Sequence, residues 1–364
     1  MILLNGISHL KEVLEDSKKV FLVCDSSFPY LNIKNDIENI GLPHVVFSDY
    51  SSNPVYEDVC KGIDLFQITK CDTILAVGGG SSIDVAKCIK LYCQMSRSKL
   101  YLEQDYKDTG IKLIAIPTTA GTGSESTRYA VIYYEGQKQS VTHDSIIPNV
   151  SILEPKVLKT LPLYQKKCTM LDALSQGIES WWSVNSTEES YEYSRKAIEL
   201  IMANWRKYIF ESDDKAAANI MLAANFGGRA INITQTTAAH AMSYKITSLY
   251  HLPHGHAVAV CLPEIWTYMT DHMDQCLDPR GSEYLKGVFL DISKAVGCEN
   301  PKEAIGTFRQ MMLELEMAHP TAEPSHRTSD IELLSTSVNP VRLKNNPIEL
   351  NEETIHSLYE VIVK

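Results

Sequence analysis

The chain has 364 residues, which is too long for one small hydrophobic core and predicts two domains. Hydrophobic residues make up 44% of it, as in ordinary globular proteins, and the net charge of −11 argues against nucleic acid and anionic membrane surfaces as partners. The nine cysteines form no CxxC pair, so we expect reduced thiols and a cytoplasmic protein. The sequence turns polar after four residues and has no apolar stretch of about 18 residues, so we expect neither a signal peptide nor a membrane span.

Short apolar strands alternate with helical segments over the first 150 residues. KKVFLVCD and HVVFSDY are typical of buried strands, and the apolar residues from Val55 to Phe66 recur at helical spacing. DTILAVGGGSSIDVAKCIKLYC predicts a strand, a glycine turn and a helix, and three further strands are predicted in IKLIAIP, RYAVIYY and VSILEP. This order predicts an α/β domain with a mostly parallel sheet covered by helices.

Helical patterns replace the strands after Pro162. Six segments, from KKCTMLDALSQGIESWW to KEAIGTFRQMMLEL, have helical character, and no convincing strand follows them. The sequence therefore predicts an all-α second domain. We place the boundary within residues 155 to 162, which gives an α/β domain over residues 1–158 and a helical domain over residues 159–364.

A glycine turn joins a strand to a helix in AVGGGSSIDVAK. Glycines let backbone approach a phosphate closely, and the helix N-terminus offers free N–H groups. The candidate phosphate-binding residues are Gly78, Gly79, Gly80 and Ser81. A tight turn without a ligand is the alternative, because neither GxGxxG nor the GK[ST] of a P-loop is present.

A second loop, IPTTAGTGSE, is rich in hydroxyl groups and glycines and follows an apolar strand. It indicates a second surface for a cofactor, formed by Thr118, Thr119, Thr122 and Ser124. Asp25 ends the first strand, where a carboxylate can hold the ribose hydroxyls of NAD and repel the extra phosphate of NADP. NAD(H) is therefore favoured over NADP(H), although a plain strand-end aspartate is the alternative.

Histidines cluster in AAHAMSYKITSLYHLPHGHA, which holds His240, His251, His254 and His256 out of eleven in the chain. Such clustering favours a metal or proton-transfer site. Asp172 adds an oxygen ligand, and one carboxylate with two imidazoles suits Fe²⁺ or Zn²⁺ and leaves positions open for a substrate. An ordinary polar contact is the alternative for any one of these histidines.

Taken together, these motifs resemble the iron-containing (group III) alcohol dehydrogenases, which are related to glycerol dehydrogenase and dehydroquinate synthase. The matching stretches occur in family order between about residues 20 and 270; they are NPVYEDVCKGID, ILAVGGGSSIDVAK, IPTTAGTGSE, IPNVSILEP, LDALSQGIES and LPHGHAVAVCLP. The resemblance implies a dinucleotide-binding N-terminal domain, a helical metal- and substrate-binding domain, and a homodimer. It also implies that Asp84 and Lys138 contribute to cofactor binding.

Carried over by position, Asp172, His240 and His254 match the family's metal ligands. Gln176 stands where many members have a fourth ligand, histidine, so it is a possible ligand, a holder of a water on the metal, or neither. Tyr244 stands where many members have a non-ligand histidine close to the nicotinamide. The resemblance thus implies a loosely held Fe²⁺ or Zn²⁺, with a tyrosine hydroxyl or water replacing histidine in proton transfer.

Two stretches are similar to the phosphonoacetaldehyde reductases within this family: DALSQGIESWWSVNSTEES and VNPVRLKNNPIEL. These enzymes reduce phosphonoacetaldehyde to 2-hydroxyethylphosphonate. A phosphonate needs cationic or N–H donors, and the candidate donors are Arg342 and Lys344, with Asn345 and Asn346 beside them. A solvated surface turn is the alternative for this segment.

The expected function is therefore NAD(P)H-dependent, metal-assisted reduction of an aldehyde to a primary alcohol, catalysed by Asp172, His240, His254 and Tyr244. Three alternatives stay open. One is a reductase for small neutral aldehydes or diols. Another is a dehydroquinate synthase-like lyase, for which the helical domain lacks an obvious set of cationic groups. The last is a non-catalytic nucleotide-binding relative, which Gln176 and Tyr244 would favour.

Overall fold

The computed structural model describes all residues from Met1 to Lys364, and the chain divides into two compact units. The first comprises Met1–Pro162 and Ser212–Gly228, and the second comprises Leu163–Glu211 and Arg229–Lys364. The first crossing lies close to the predicted boundary at residues 158 and 159. The return of residues 212–228 to the first unit was not predicted, because their helical pattern resembles that of the helices around them.

All eight strands belong to the first unit: β1 Ile2–Asn5, β2 Val20–Cys24, β3 His44–Phe47, β4 Thr73–Gly78, β5 Lys112–Pro117, β6 Tyr129–Tyr134, β7 Gln137–Thr142 and β8 Val150–Leu153. Six of them form one parallel sheet in the order β1-β8-β5-β4-β2-β3. The residues of β2 and β4 are all buried, as expected for strands of a parallel sheet that is covered on both faces. The predicted parallel sheet is confirmed.

Strands β6 and β7 form a separate antiparallel hairpin. Its two turn residues, Glu135 and Gly136, have φ of 49° and 73°, as in the turns whose twist matches a two-residue hairpin. The strand in RYAVIYY was predicted, but its partner was not, because QKQSVT is mostly polar. The hairpin does not extend the parallel sheet, so the βαβ pattern is interrupted here.

Fourteen α-helices complete the structure. Those of the first unit are α1 Leu10–Val13, α2 Lys34–Glu38, α3 Tyr56–Thr69 and α4 Gly80–Tyr92. The later ones are α5 Leu163–Trp182, α6 Glu188–Arg206, α7 Asp214–Thr234, α8 Ala238–Tyr250, α9 His254–Asp271, α10 Ser282–Val296, α11 Pro301–Glu314, α12 Arg327–Thr336, α13 Pro340–Leu343 and α14 Glu352–Ile362. The second unit contains no strand, so its predicted all-α character is confirmed. None of the helices combines the length and apolar character needed to cross a membrane.

Helix α5 forms the centre of the second unit and is buried on almost every face. It packs against α6, α9 and α10, and Trp182 at its end meets Trp266 and Phe289 edge to face. Gly255 at the start of α9 permits a close approach to α5, because a Cβ there would lie 2.0 Å from the Cys168 carbonyl oxygen and 2.8 Å from Asp172 Cβ. The two helices therefore bring their polar residues into contact.

Helix α7 contributes its first part to the α/β unit. Gly228 packs on Gly123, since a Cβ on Gly228 would lie 2.5 Å from the Gly123 carbonyl oxygen. The Asn225 amide donates to Glu125 Oε1 at 2.9 Å, and the Ser126 hydroxyl donates to the Asn225 carbonyl at 3.2 Å. Small and amide side chains thus hold residues 212–228 against the loop that follows β5.

Candidate functional site

Three potential ligands meet in the second unit: Asp172 on α5, His240 on α8 and His254 on α9. Their ligand atoms all lie within 4.8 Å of one another. His240 Nε2 lies 3.3 Å from Asp172 Oδ1, and His254 Nε2 lies 3.9 Å from the same oxygen. The Asp172 and His240 side chains are only 4% exposed but that of His254 is 37% exposed, so the cluster is open on one side.

The donor set fits a divalent metal. Asp172 Oδ1 and His240 Nε2 are both buried and neither makes a hydrogen bond, although they face each other. A buried polar atom without a partner costs about 1–3 kcal/mol, so a cation between these two atoms would relieve a penalty at both. One carboxylate oxygen and two imidazole nitrogens are ligands that suit Fe²⁺ or Zn²⁺.

Burial and neighbouring charges shift the pKa values of Asp172 and His240 in this cluster. Burial raises the pKa of Asp172, but the neighbouring His240 and His254 imidazoles outweigh it and hold that pKa below its usual value. Burial lowers the pKa of His240, but the carboxylates of Glu179 and Asp172 outweigh it and raise the pKa to about 9. Metal binding has to overcome this raised pKa, because an imidazole nitrogen must be deprotonated to act as a ligand.

Glu179 is the residue that the sequence analysis missed. It lies on the same face of α5 as Asp172 and Gln176, its side chain is fully buried, and its Oε2 contacts His240 Nδ1. The sequence analysis took Asp172 and Gln176 from LDALSQGIES as candidate ligands and gave Glu179 no role. The spacing of seven residues from Asp172 to Glu179 was the available signal, because it places both carboxylates on one face of a helix.

Gln176 is buried between these two acids on α5, and its side chain hydrogen-bonds Asp172. Its role as a fourth ligand stays a prediction. Of the other clustered histidines, His251 ends α8 and is exposed. His256 points elsewhere, with its two ring nitrogens 2.8 Å from the Tyr164 hydroxyl and from the Ala318 carbonyl. Only two of the four histidines belong to the cluster.

Tyr244 links the cluster to the basic segment near the C-terminus. Its ring stacks on His254 with centroids 5.6 Å apart and an interplanar angle of 2°. Arg342 on α13 donates to the Tyr244 hydroxyl at 3.2 Å and lies 5.0 Å from the ring centroid. The Arg342 guanidinium thus lies against the aromatic ring that stacks on His254.

Lys344 and the two asparagines of the basic segment are placed differently from Arg342. Lys344 is exposed at the end of α13. The Asn345 amide donates to Gln235 Oε1 at 2.9 Å, and the Asn346 amide donates to the Ile348 carbonyl at 2.7 Å. The structure therefore brings only Arg342, of the four predicted donors, to the aromatic ring that contacts His254.

The predicted cofactor loops lie at the carboxyl ends of β2, β4 and β5, which are neighbouring strands of the parallel sheet. The Ser82 hydroxyl donates to Asp25 Oδ2 at 3.1 Å, and Thr118 N donates to the Gly78 carbonyl at 2.9 Å. Thr119 and Thr122 lie next to Gly79 and Gly80, and Ser81 donates to the Ser52 carbonyl. The two loops thus adjoin, as a nucleotide site requires, but their contacts with a cofactor stay predictions.

Asp84 and Ser124 are engaged with each other. Ser124 Oγ donates to Asp84 Oδ1 at 2.6 Å, and Val131 N donates to Oδ2 at 2.9 Å. Burial raises the pKa of Asp84, whereas Lys87 and, more weakly, Lys138 on β7 lower it. These contacts hold the loop after β5 against α4, and the predicted contribution of Asp84 and Ser124 to cofactor binding stays a prediction.

Lys87, which has no exposed surface, completes this network. Its Nζ donates to Ser124 Oγ and Thr127 Oγ1 at 3.1 Å each and to the Tyr129 carbonyl at 2.7 Å. Burial lowers the pKa of Lys87 to about 8, against the opposing effect of Asp84. Helix α4 is therefore tied at two side chains to the loop that follows β5.

Comparison with known proteins gives two family matches that together span most of the chain. Residues 4–155 match iron-containing alcohol dehydrogenase, and residues 167–363 match the C-terminal region of the Fe-containing alcohol dehydrogenase family. Phosphonoacetaldehyde reductase of Streptomyces viridochromogenes is 29% identical, over 87% of this chain and 82% of that protein. Aldehyde-alcohol dehydrogenase 2 of Entamoeba histolytica is 28% identical over 87% of this chain, which spans only 39% of that longer protein.

Solved structures agree with the fold. Iron-containing alcohol dehydrogenase from Thermococcus thioreducens superposes with a TM-score of 0.86 at 23% identity, over 99% of this chain and 97% of that one. Sulfoacetaldehyde reductase from Bifidobacterium kashiwanohense, solved with NAD⁺, gives a TM-score of 0.87 at 21% identity, over 100% and 96% of the two chains. At these identities the likeness concerns the fold alone.

Proposed function

Because the chain belongs to the iron-containing alcohol dehydrogenase family, we propose that it is a metal-dependent aldehyde reductase that uses NADH and acts on phosphonoacetaldehyde. The carboxylate–imidazole cluster supports the metal-dependent chemistry. The position of Arg342 supports the anionic substrate and is the observation on which that part of the proposal rests. Asp25 at the end of β2 supports NADH over NADPH.

The substrate argument depends on distance. In phosphonoacetaldehyde one methylene separates the carbonyl carbon from phosphorus, so a cation that holds the phosphonate must lie close to the group that holds the carbonyl. Arg342 is one aromatic ring away from His254, through the stacked Tyr244. A guanidinium is also suited to the two-point recognition of a phosphonate, because its N–H donors form a planar fork.

A bound Fe²⁺ or Zn²⁺ supplies Lewis-acid polarisation of the aldehyde carbonyl. Asp172, His240 and His254 would hold it, and the exposed side of His254 leaves access for the substrate. The glycine turn after β4 and the loop after β5 would hold NADH, which would supply the hydride for the carbonyl carbon. The Tyr244 hydroxyl, on the ring that stacks on His254, serves as proton donor to the developing alcohol oxygen.

One observation favours the alternative, a reductase for small neutral aldehydes. Arg342 already has a hydrogen bond and a cation–π contact with Tyr244, which would account for its position without any anionic substrate. In that case the guanidinium serves to orient the tyrosine, and substrates such as propanal would be reduced as well as phosphonoacetaldehyde.

NADH oxidation by the metal-loaded enzyme separates the two functions. Phosphonoacetaldehyde and propanal are compared in the wild-type protein, in Arg342→Ala and in Lys344→Ala, an exposed cation two residues away that serves as the matched control. We expect Arg342→Ala to lower kcat/KM for phosphonoacetaldehyde about 30-fold or more, since a charge-assisted pair contributes about 2–5 kcal/mol, and to change propanal turnover much less. Equal losses on both substrates, or propanal preferred by the wild type, would leave the neutral-aldehyde function.

A further inference from the structure

We propose that Glu179 is a positioning residue that makes His240 a metal ligand, by accepting the proton of Nδ1 so that Nε2 directs its lone pair at the metal. The inference rests on the proposed metal site and adds to it a residue outside the three ligands. Metal-binding imidazoles commonly use their second nitrogen in this way, and loss of the supporting group weakens metal binding.

The carboxylate of Glu179 is fixed from one side by the beginning of α8. Its Oε1 accepts four hydrogen bonds there: from Thr237 N at 3.2 Å, Thr237 Oγ1 at 2.8 Å, Ala239 N at 2.8 Å and His240 N at 3.3 Å. These amides belong to the first turn of a helix, where they have no partner within the helix. The positive end of the helix dipole also favours a carboxylate at this place.

With Oε1 occupied, Oε2 is left to contact His240 Nδ1. A carboxylate has no proton to donate, so Nδ1 must be the donor in this contact. His240 Nε2 then faces Asp172 Oδ1, and both of these atoms are buried without a hydrogen bond. The His240 ring is thus held between Glu179 and Asp172, two acids of α5. Its Nε2 is directed at the position where a metal would also bind Asp172 Oδ1.

Glu179→Gln distinguishes the proposal from a merely structural role of Glu179 as the cap of α8. If Glu179 were only a cap, this variant would bind metal as the wild type does. The four donors on α8 require an acceptor, so the glutamine carbonyl would take the place of Oε1 and the cap would survive. Its NH₂ group would then donate to His240 Nδ1 and reverse the tautomer. The resulting Nε2–H would point at Asp172 Oδ1, so the metal-free cluster would be satisfied and the nitrogen no longer a ligand.

The test is the affinity for Zn²⁺ and for Fe²⁺, measured by competition with a chelator, together with thermal unfolding of the metal-free proteins. We expect Glu179→Gln to bind both metals about 10- to 100-fold more weakly and to unfold at nearly the wild-type temperature without metal. The matched control is Thr237→Val, which removes one donor to Oε1 and the acceptor of Trp182 Nε1 but leaves the contact with Nδ1. Thr237→Val should unfold at a lower temperature than the wild type. Its metal affinity should stay within about threefold of the wild-type value, a much smaller change than the one expected when the supporting group of His240 is lost.

Wild-type metal affinity in Glu179→Gln would overturn the proposal and reduce Glu179 to a helix cap. If that variant fails to fold, ¹⁵N NMR of histidine-labelled wild-type protein loaded with Zn²⁺ decides instead. The His240 ring, identified as the signal missing from His240→Gln, should be protonated at Nδ1, and protonation at Nε2 would contradict the proposal. If the wild-type protein itself bound neither metal, the proposed metal chemistry would be wrong. That outcome is distinct from a Glu179→Gln variant that binds metal as tightly as the wild type.

Discussion

Among the residues of the cluster, His254 is the one whose replacement should act on chemistry with least effect on folding. Its side chain is 37% exposed, whereas Asp172 and His240 are buried. We expect His254→Ala to abolish metal-dependent NADH oxidation and to change the free energy of unfolding of the metal-free protein by less than about 1 kcal/mol. Chemical denaturation and turnover of the metal-loaded variant check this, and full activity would contradict the assignment of His254.

Metal binding should strengthen as the pH rises toward the pKa of His240, which is about 9. Below that value the metal must displace a proton from the ring, so the apparent affinity for Zn²⁺ should rise about tenfold per pH unit between pH 6 and 8 if one proton is released. Chelator competition across this range measures the slope. A pH-independent affinity would show that His240 is already neutral in the metal-free protein.

The metal-free protein should respond to pH in the opposite direction. The pKa of His240 is raised in the folded state from 6.5 to about 9, so this group stabilises the fold fully below pH 6.5. That contribution should be lost as the pH rises through 9. Urea unfolding with and without metal, with His240→Gln as the control for other titrating groups, should show the loss only in the metal-free wild type.

The residues that the sequence predicted best were those whose type is rare and whose chemistry is specific. Asp172, His240 and His254 were chosen because histidines are few and fall together, and the structure does bring them together. Glu179 was missed because a glutamate within a helix is ordinarily a solvated surface residue. Nothing in the sequence alone shows that it is buried against the beginning of α8, which lies some 60 residues later in the chain.

At the level of elements, the contact between α4 and the loop after β5 should control cofactor affinity. Lys87→Met removes three hydrogen bonds that hold Ser124, Thr127 and Tyr129. We expect the dissociation constant for NADH to rise about 10-fold and the free energy of unfolding to fall by about 1–3 kcal/mol, because buried acceptors lose their donor. Lys90→Met, which replaces another buried lysine of α4, is the control and should leave NADH binding unchanged. NADH fluorescence titration measures both variants.

The packing of α9 on α5 should be as sensitive. Gly255→Ala would place a Cβ 2.0 Å from the Cys168 carbonyl oxygen, so α9 must move away from α5 and carry His254 with it. We expect destabilisation of about 1–3 kcal/mol and weaker Zn²⁺ binding. Gly287→Ala on α10, where a Cβ meets nothing within 4 Å, should instead stabilise the protein slightly. Equal stability of the two variants would contradict the close approach.

The elements predicted from the sequence were those with long and regular apolar patterns. Helices α5, α6, α7, α9, α10 and α11 and the central strands were all anticipated. Helix α8 was recognised for its histidines rather than as a helix, and β7 was missed because QKQSVT is mostly polar. Helices α12 to α14 were also missed. Helix α13 has only four residues, but α14 shows helical spacing of Ile355, Leu358, Tyr359 and Ile362 that the sequence analysis did not use.

At the scale of the whole molecule, the return of residues 212–228 to the α/β unit means that neither unit is a continuous piece of chain. We expect a fragment of residues 163–364 to be poorly folded, because it keeps Asn225 and Gly228 but lacks their partners Glu125 and Gly123. Circular dichroism and size-exclusion chromatography check this. A monomeric fragment with a cooperative unfolding transition would show that these contacts are dispensable.

The shared helix α7 also has a consequence for biosynthesis. The α/β unit ends its first segment at Pro162, but it is not complete until Gly228 has been translated, 66 residues later. At roughly 5–20 residues per second, the ribosome needs about 3 to 13 s for that interval. During this time the nascent α/β unit exposes the surface around Gly123 that α7 later covers. Chaperones that act on nascent chains should therefore bind the protein most strongly in this window.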